Sequence, residues 1–307
     1  RAALAFFDIL FSINVWEPQV AFAPDAIVSR NMDDARVAMA EMRLVPPRYT
    51  PPGRTLLVNV HNVRDQVAGI LRAKGLDEEI HLRLLKTNEG YNLELEGSII
   101  GEATNEEAER DFSARALNIE FTARASERLD RFARIISDMR KRDAEYAALI
   151  MIPGKCEMYF RNDEVHEEIP LGSCNIEGPT VSAVRMDLVE KALPTSAVRL
   201  GDGRTLTIHV QNLGVVMLES YLQDWFYYRR YMAPEVEIAE AIGETFGSIK
   251  ELSEEEILEI LKGRPQISLT DLRQELVRRG VSVRRLESVL RDMVQEGKIA
   301  EEERDHV

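Results

Sequence analysis

Asp33 and Asp34 stand side by side in "IVSRNMDDARVAM", between two apolar, strand-like runs. Adjacent carboxylates can hold a divalent cation or share a proton. A metal site needs further oxygen ligands close by, and the sequence specifies none. Short acidic side chains also accept hydrogen bonds from turn amides, and that corner reading is the better fit here. The five histidines (His61, His81, His166, His209 and His306) show no metal-ligand spacing. Cys156 and Cys174 could approach each other, but the expectation is of ordinary thiols in a reducing setting. No phosphate loop of the GxxxxGK[ST] type and no GxSxG elbow occurs, and "GDG" at 201–203 reads as a turn. Neither a catalytic constellation, a metal site nor a cofactor-binding motif is expected.

The elements around these residues repeat. In the first half, "AALAFFDILFSIN" reads as an apolar helix, followed by "QVAFA", the turn "PDA" and the strand "IVSRNM". Val63, Val67, Ile70 and Leu71 then recur at helical spacing until Gly75. A hairpin follows: "EIHLRLL", "KTNEG", "YNLELE". In the second half, "SERLDRFARIISDMRKRD" is a helix, and "AALIMI", "PG" and "KCEMYF" form a hairpin. "RMDLVEKAL" is a short helix, "SAVRL" a strand, "GDGR" a turn and "TLTIHVQ" the return strand. Loop signals at 46–53 and 168–179 fall at matching places. This duplication implies an α+β fold of two similar units, each with strands backed by two helices.

After Glu237 three amphipathic helices follow, two of them opened by serine caps, in the pattern of a winged helix-turn-helix. The expected domains are 1–102, a connector 103–117, a second domain 118–238, a linker 239–252 and a helical domain 253–307. With 45% hydrophobic residues the chain can bury a full core. No window approaches the roughly 18 apolar residues of a membrane span. "AALAFFDILFSI" lacks the basic lead and cleavage site of a secretion signal.

Residues 1–237 resemble the proliferating cell nuclear antigen family, the sliding clamps of archaea and eukaryotes. "APDAIVSRNMDDARVAMAEM", "ILRAKGLDEEIHLRL", "FARIISDM" and "YYRRYMAPEVE" match in order four segments of that family. The resemblance implies a trimeric ring of six domains, homomeric or heteromeric, with helices lining a hole that takes duplex DNA. It implies a scaffold without catalysis or cofactor, placed on DNA by a clamp loader. Such a clamp tethers DNA polymerase, ligase or nuclease, here in a cytoplasmic (nucleoid-associated) or nuclear setting. It places Arg36 and Val37, with Ala233 and Pro234, at a pocket for partner peptides. The chain departs from the family in opening directly on the helix and in carrying the winged-helix-like tail.

A ring that slides must meet phosphates with lysine and arginine. The candidate DNA-binding residues on the four expected lining helices are Arg64, Arg72, Lys74, Arg128, Arg131, Arg134, Lys141 and Lys191. Arg72 and Arg134 carry most weight, since the resemblance places DNA-facing cations there. Together the four segments (2–13, 60–74, 126–143 and 185–193) total +3, which leaves −17 for the remainder of a chain at −14. Incidental charge on solvated helix faces would look the same.

The aromatic run Trp225, Phe226, Tyr227, Tyr228 and Tyr231, with Arg229 and Arg230, fits stacking on single-stranded bases or an edge strand at a subunit seam. The alternative to a clamp is a winged-helix DNA-binding transcription regulator, its α+β part sensing or dimerising. Acidic and basic residues are balanced, nine each, over 253–298, which leans the tail toward protein contact.

Overall fold

The computed structural model describes residues 1–13, 15, 17–61, 63–75, 77–104, 119–161, 166–247, 249–283 and 285–300. The expected connector 103–117 lies almost entirely outside them.

The first half runs α1 (Ala2–Ser12), β1 (Gln19–Phe22), β2 (Ile27–Met32), β3 (Ala38–Leu44), β4 (Leu56–Val60), α2 (Arg64–Lys74), β5 (Leu82–Lys86), β6 (Gly90–Leu95) and β7 (Ser98–Thr104). The second runs β8 (Ala123–Arg128), α3 (Leu129–Lys141), β9 (Tyr146–Ile152), β10 (Lys155–Arg161), β11 (His166–Pro170), β12 (Ser173–Ile176), β13 (Thr180–Arg185), α4 (Met186–Ala192), α5 (Thr195–Leu200), β14 (Thr205–Val210), β15 (Val216–Gln223) and β16 (Phe226–Met232). The duplication is visible in strand order. β3-β2-β1-β4 in the first half and β11-β10-β9-β13 in the second have the same antiparallel order, each between an earlier helix and a later one.

The two copies end differently. The second four-stranded group stays a separate sheet, whereas the first is part of a twelve-stranded one. There β4 meets β7 at only Asn59↔Glu102 and Val60↔Gly101. A Cβ on Gly101 would lie 2.6 Å from the Asn59 carbonyl oxygen, so the close approach requires glycine. The halves are joined by β16 pairing with β3 over Phe226↔Leu44 to Met232↔Ala38. β16 is therefore an interior strand, not the edge its aromatics suggested. Phe226 and Tyr228 are buried in the core, and Tyr227 and Arg229 alternate to the opposite, half-exposed face. α1 packs against α2, α4 and α5, and α3 against α4 and α5, forming a helix layer over the sheets.

Three sequence expectations are corrected. "SAVRL" lies in helix α5 rather than in a strand. Five residues satisfy either period, and the contact of Ala197 and its neighbours with α1 selects the helix. The expected loop 168–179 contains the whole of β12 and the end of β11. Cys156 and Cys174 are not free thiols. They form a disulfide between β10 and β12, with Cα atoms 6.4 Å apart, tying one sheet to the other. The chain crosses between the sheets at Leu171–Gly172, and that crossing brings the two cysteines together.

The expected linker 239–252 opens in a helix, over 239–245. α6 (Val236–Thr245) lays Ala239 and Ile242 against Ala148, Ile150, Val181 and Ala183 of the four-stranded sheet. Phe246 packs edge-on to Tyr159, with the Lys155 ammonium 4.3 Å from its ring centre. Beyond it, α7 (Glu254–Gly263), α8 (Leu269–Arg278) and α9 (Leu286–Gln295) enclose a core of Ile257, Ile260, Leu272, Leu276, Leu286 and Met293. Ser253 and Ser268 cap α7 and α8 by accepting from the amides of Glu256 and Asp271.

Candidate nucleic-acid interface

The helix layer holds an open groove of about 970 Å³. α2 contributes Arg72, α3 contributes Asp130, Arg134 and Ser137, α1 contributes Asp8, and α5 contributes Ser196 and Arg199. Arg72 and Arg134, from different halves of the chain, thus face one opening. The groove lies at the seam of the halves, where the Ser196 hydroxyl donates to the Asp8 carboxylate at 2.5 Å.

The candidate cations differ in how far neighbouring acids compensate them. Arg134 and Arg128 both bind Asp130, at 2.9 and 3.0 Å, and Arg128 chiefly holds that carboxyl below its usual range. Arg131 pairs with the buried Glu127 and donates to the Pro170 carbonyl. Lys141 meets Asp138 at 3.1 Å and Lys191 meets Asp187 at 3.6 Å. Lys74 is tied to Glu96 at 3.1 Å, beside the β6–β7 turn. Arg64 and Arg72 are exposed and form no ion pair among the described residues. The structure therefore brings Arg72 and Arg134 together, and Arg64, Lys74, Arg128, Arg131, Lys141 and Lys191 do not line the groove. Sequence reading missed Arg199, because its segment was assigned to a strand.

The acidic pair is a corner. Asp33 Oδ1 accepts from the amides of Val37 and Ala38, at 2.8 and 2.9 Å, between β2 and β3. Arg36 takes a left-handed conformation at φ 59° in this turn. The Ala233 amide donates to the Val37 carbonyl at 2.7 Å, so Arg36, Val37, Ala233 and Pro234 converge at one place. Met32, 45% exposed, and Val236 add apolar surface. The chain then leaves through the Glu235 amide, which donates to the Ala183 carbonyl, and enters α6.

No protein-family model and no curated protein sequence matches this chain. Solved structures do. The PCNA2–PCNA3 complex from Sulfolobus tokodaii superposes with a TM-score of 0.60 at 18% identity, covering 76% of this chain and 97% of that one. A. fulgidus PCNA bound by the C-terminal region of FEN-1 gives 0.62 at 16% identity, covering 76% and 95%. The PCNA of Entamoeba histolytica gives 0.57 at 13%, covering 76% and 96%. The fold is that of a sliding clamp. Nearly the whole of each clamp chain is matched, so the clamp fold is complete in outline. About a quarter of this chain has no counterpart in these neighbours.

Proposed function

We propose that this chain is a DNA sliding clamp subunit: it encircles duplex DNA and tethers replication or repair enzymes. The observation that carries the reading is the meeting of Arg72 and Arg134 in one groove of the helix layer. In a clamp fold that layer faces the hole. The mechanism is topological. A closed trimeric ring of six such domains, two per chain, formed by this chain alone or with sister subunits and opened by a clamp loader, holds DNA without reading bases. Phosphate contacts by exposed, partly compensated arginines are weak enough to let the ring move. The surface at Met32, Val37, Ala233 and Pro234 takes an apolar-anchored peptide of a polymerase, ligase or nuclease.

The tail supports a protein-contact role better than DNA reading. Arg273, Arg278, Arg279, Arg285 and Lys298 are each within 3.5 Å of a glutamate. Phosphate contact would require breaking those pairs.

The test is assembly and loading. Light scattering and electron microscopy of the purified chain, with and without sister subunits, are expected to find rings. Those rings are expected to stimulate a polymerase on primed circular DNA. A protein that stays monomeric with every partner refutes the proposal. DNA binding confined to the tail would instead favour the regulator.

A further inference from the structure

The two copies of the four-stranded group secure their matching strands in different ways. In the orders β3-β2-β1-β4 and β11-β10-β9-β13, β11 stands where β3 stands. β3 is held on both sides, by β2 and by β16. Among the described residues β11 pairs with β10 alone, from Glu157↔Pro170 to Arg161↔His166, and its other edge is open. Beside that open strand the second copy has a covalent tie that the first lacks. Cys156 on β10 and Cys174 on β12 are the only cysteines of the chain, and the 18-residue separation that they bridge contains all of β11. The crossing between the sheets is closely fitted at the same place. The Leu171 amide donates to the Cys156 carbonyl at 3.0 Å, and Arg131 Nη2 donates to the Pro170 carbonyl at 3.1 Å. A Cβ on Gly172 would lie 2.2 Å from the Ser126 carbonyl oxygen. The bridge thus holds both ends of the segment that carries β11, as β16 holds β3.

We propose that the Cys156–Cys174 bridge is a redox lock on the open edge of β11: the oxidised chain pairs this edge with a second copy of itself more tightly than the reduced chain does. The inference rests on the clamp reading for the ring that such pairing closes. An edge strand offers its unpaired amides and carbonyls to another chain only while it is held extended. Apparent affinity falls in proportion to the time that it spends in other conformations. Closing the loop around β11 removes much of that freedom. Both cysteines are half-buried, so a small dithiol reaches them. Its thiolate attacks one sulfur, forming a mixed disulfide and releasing the other cysteine as a thiolate. Its second thiol then closes a cyclic disulfide and releases the first cysteine. The bridge gains two electrons and two protons, and the dithiol loses them.

The experiment follows the full-length chain by sedimentation velocity over a concentration series, oxidised, reduced with dithiothreitol, or carrying both Cys156→Ser and Cys174→Ser. The oxidised chain is expected to self-associate, and reduction to weaken that association about three- to thirtyfold. Reoxidation with the cyclic disulfide of the same reagent is expected to restore it. The double variant is expected to behave as the reduced chain with or without reagent. Thermal melting checks that the reduced chain is folded at the assay temperature. Amide exchange is expected to accelerate on reduction more in 166–174 than in β9 and β13. Equal acceleration in all three would overturn the inference, since the bridge would then act on the whole fold and not on the edge. Equal association in the two redox states, or an oxidised chain that is monomeric at every concentration, overturns it as well, while the clamp reading stands on rings with sister subunits. If neither redox state forms a ring with any partner, the clamp reading fails and takes this one with it.

Discussion

Arg230 Nη1 lies 3.2 Å from Ser12 Oγ, a contact between residues 218 positions apart. It joins β16 of the second half to the C-terminal end of α1 in the first. Arg230 is 1% exposed, and its Nε has no hydrogen-bond partner among the described residues. Burial pushes its pKa down, against the pull of Tyr228 and Asp33. The carboxylate that makes the β2–β3 corner therefore also helps keep a buried cation charged.

Arg230→Ala removes a large buried side chain at the junction of the halves and is expected to cost about 3 kcal/mol through the cavity it leaves. Arg230→Met keeps most of the volume and discards a poorly satisfied charge, so it is expected to fall within about 1 kcal/mol of wild type. Urea denaturation distinguishes the two. Equal losses for both substitutions would contradict this account of the site.

The Cys156–Cys174 bridge closes a sequence separation of 18 and links two sheets. A loop of this size is expected to contribute about 3 kcal/mol, mainly by restricting the unfolded chain. A dithiol reductant, or Cys174→Ser, should therefore lower the melting temperature by several degrees. Unchanged melting under reduction, with the bridge confirmed by mass spectrometry beforehand, would show that it adds nothing to stability.

Glu240, on α6, is 1% exposed and accepts the Val283 amide at 2.5 Å, while Asn212 Nδ2 donates to the Val277 carbonyl at 3.2 Å. These bonds hold the tail against the second half. Glu240→Ala strands a buried amide, at about 1–3 kcal/mol. Faster amide exchange is expected throughout 250–300, with β9 and β13 unaffected. Uniform protection across the tail of this variant would mean that docking does not depend on Glu240.

Strands β14, β15 and β16 of the twelve-stranded sheet bring a charged cluster together. His209 Nε2 lies 2.7 Å from Glu219, which also takes the Tyr227 hydroxyl and the Arg229 guanidinium. The His209 contact above all lowers the Glu219 carboxyl from 4.5 to about 2. A depressed carboxyl stabilises the fold fully above its unfolded value and loses that contribution as pH falls toward its folded value. Glu219→Gln should therefore be less stable than wild type at pH 6, with the gap narrowing between about 4.5 and 2. A gap independent of pH would rule out the carboxylate's charge as its source.

The sequence alone was enough for whatever depends on neighbours within a few residues. Helical spacing located α1, α2 and α3, Gly75 at φ 100° ended α2, and the serines before α7 and α8 capped them. Period-two alternation located the β5–β6 hairpin, and the recurrence of these patterns disclosed the duplication. Asp33 was legible as a corner because its partners lie four and five residues away. The sliding-clamp resemblance, too, was carried by short ordered segments. Only the tertiary structure decided what depends on distant partners. It made "SAVRL" a helix, buried α6, paired the cysteines and put β16 in the middle of a sheet. It also brought Arg1, Arg72, Arg134 and Arg199, out of many exposed cations, to line one groove. Short-range sterics and hydrogen bonding act through local sequence, and so leave a periodic trace in it. Which faces meet across nearly two hundred residues is set by packing of the whole core, and no local pattern records it.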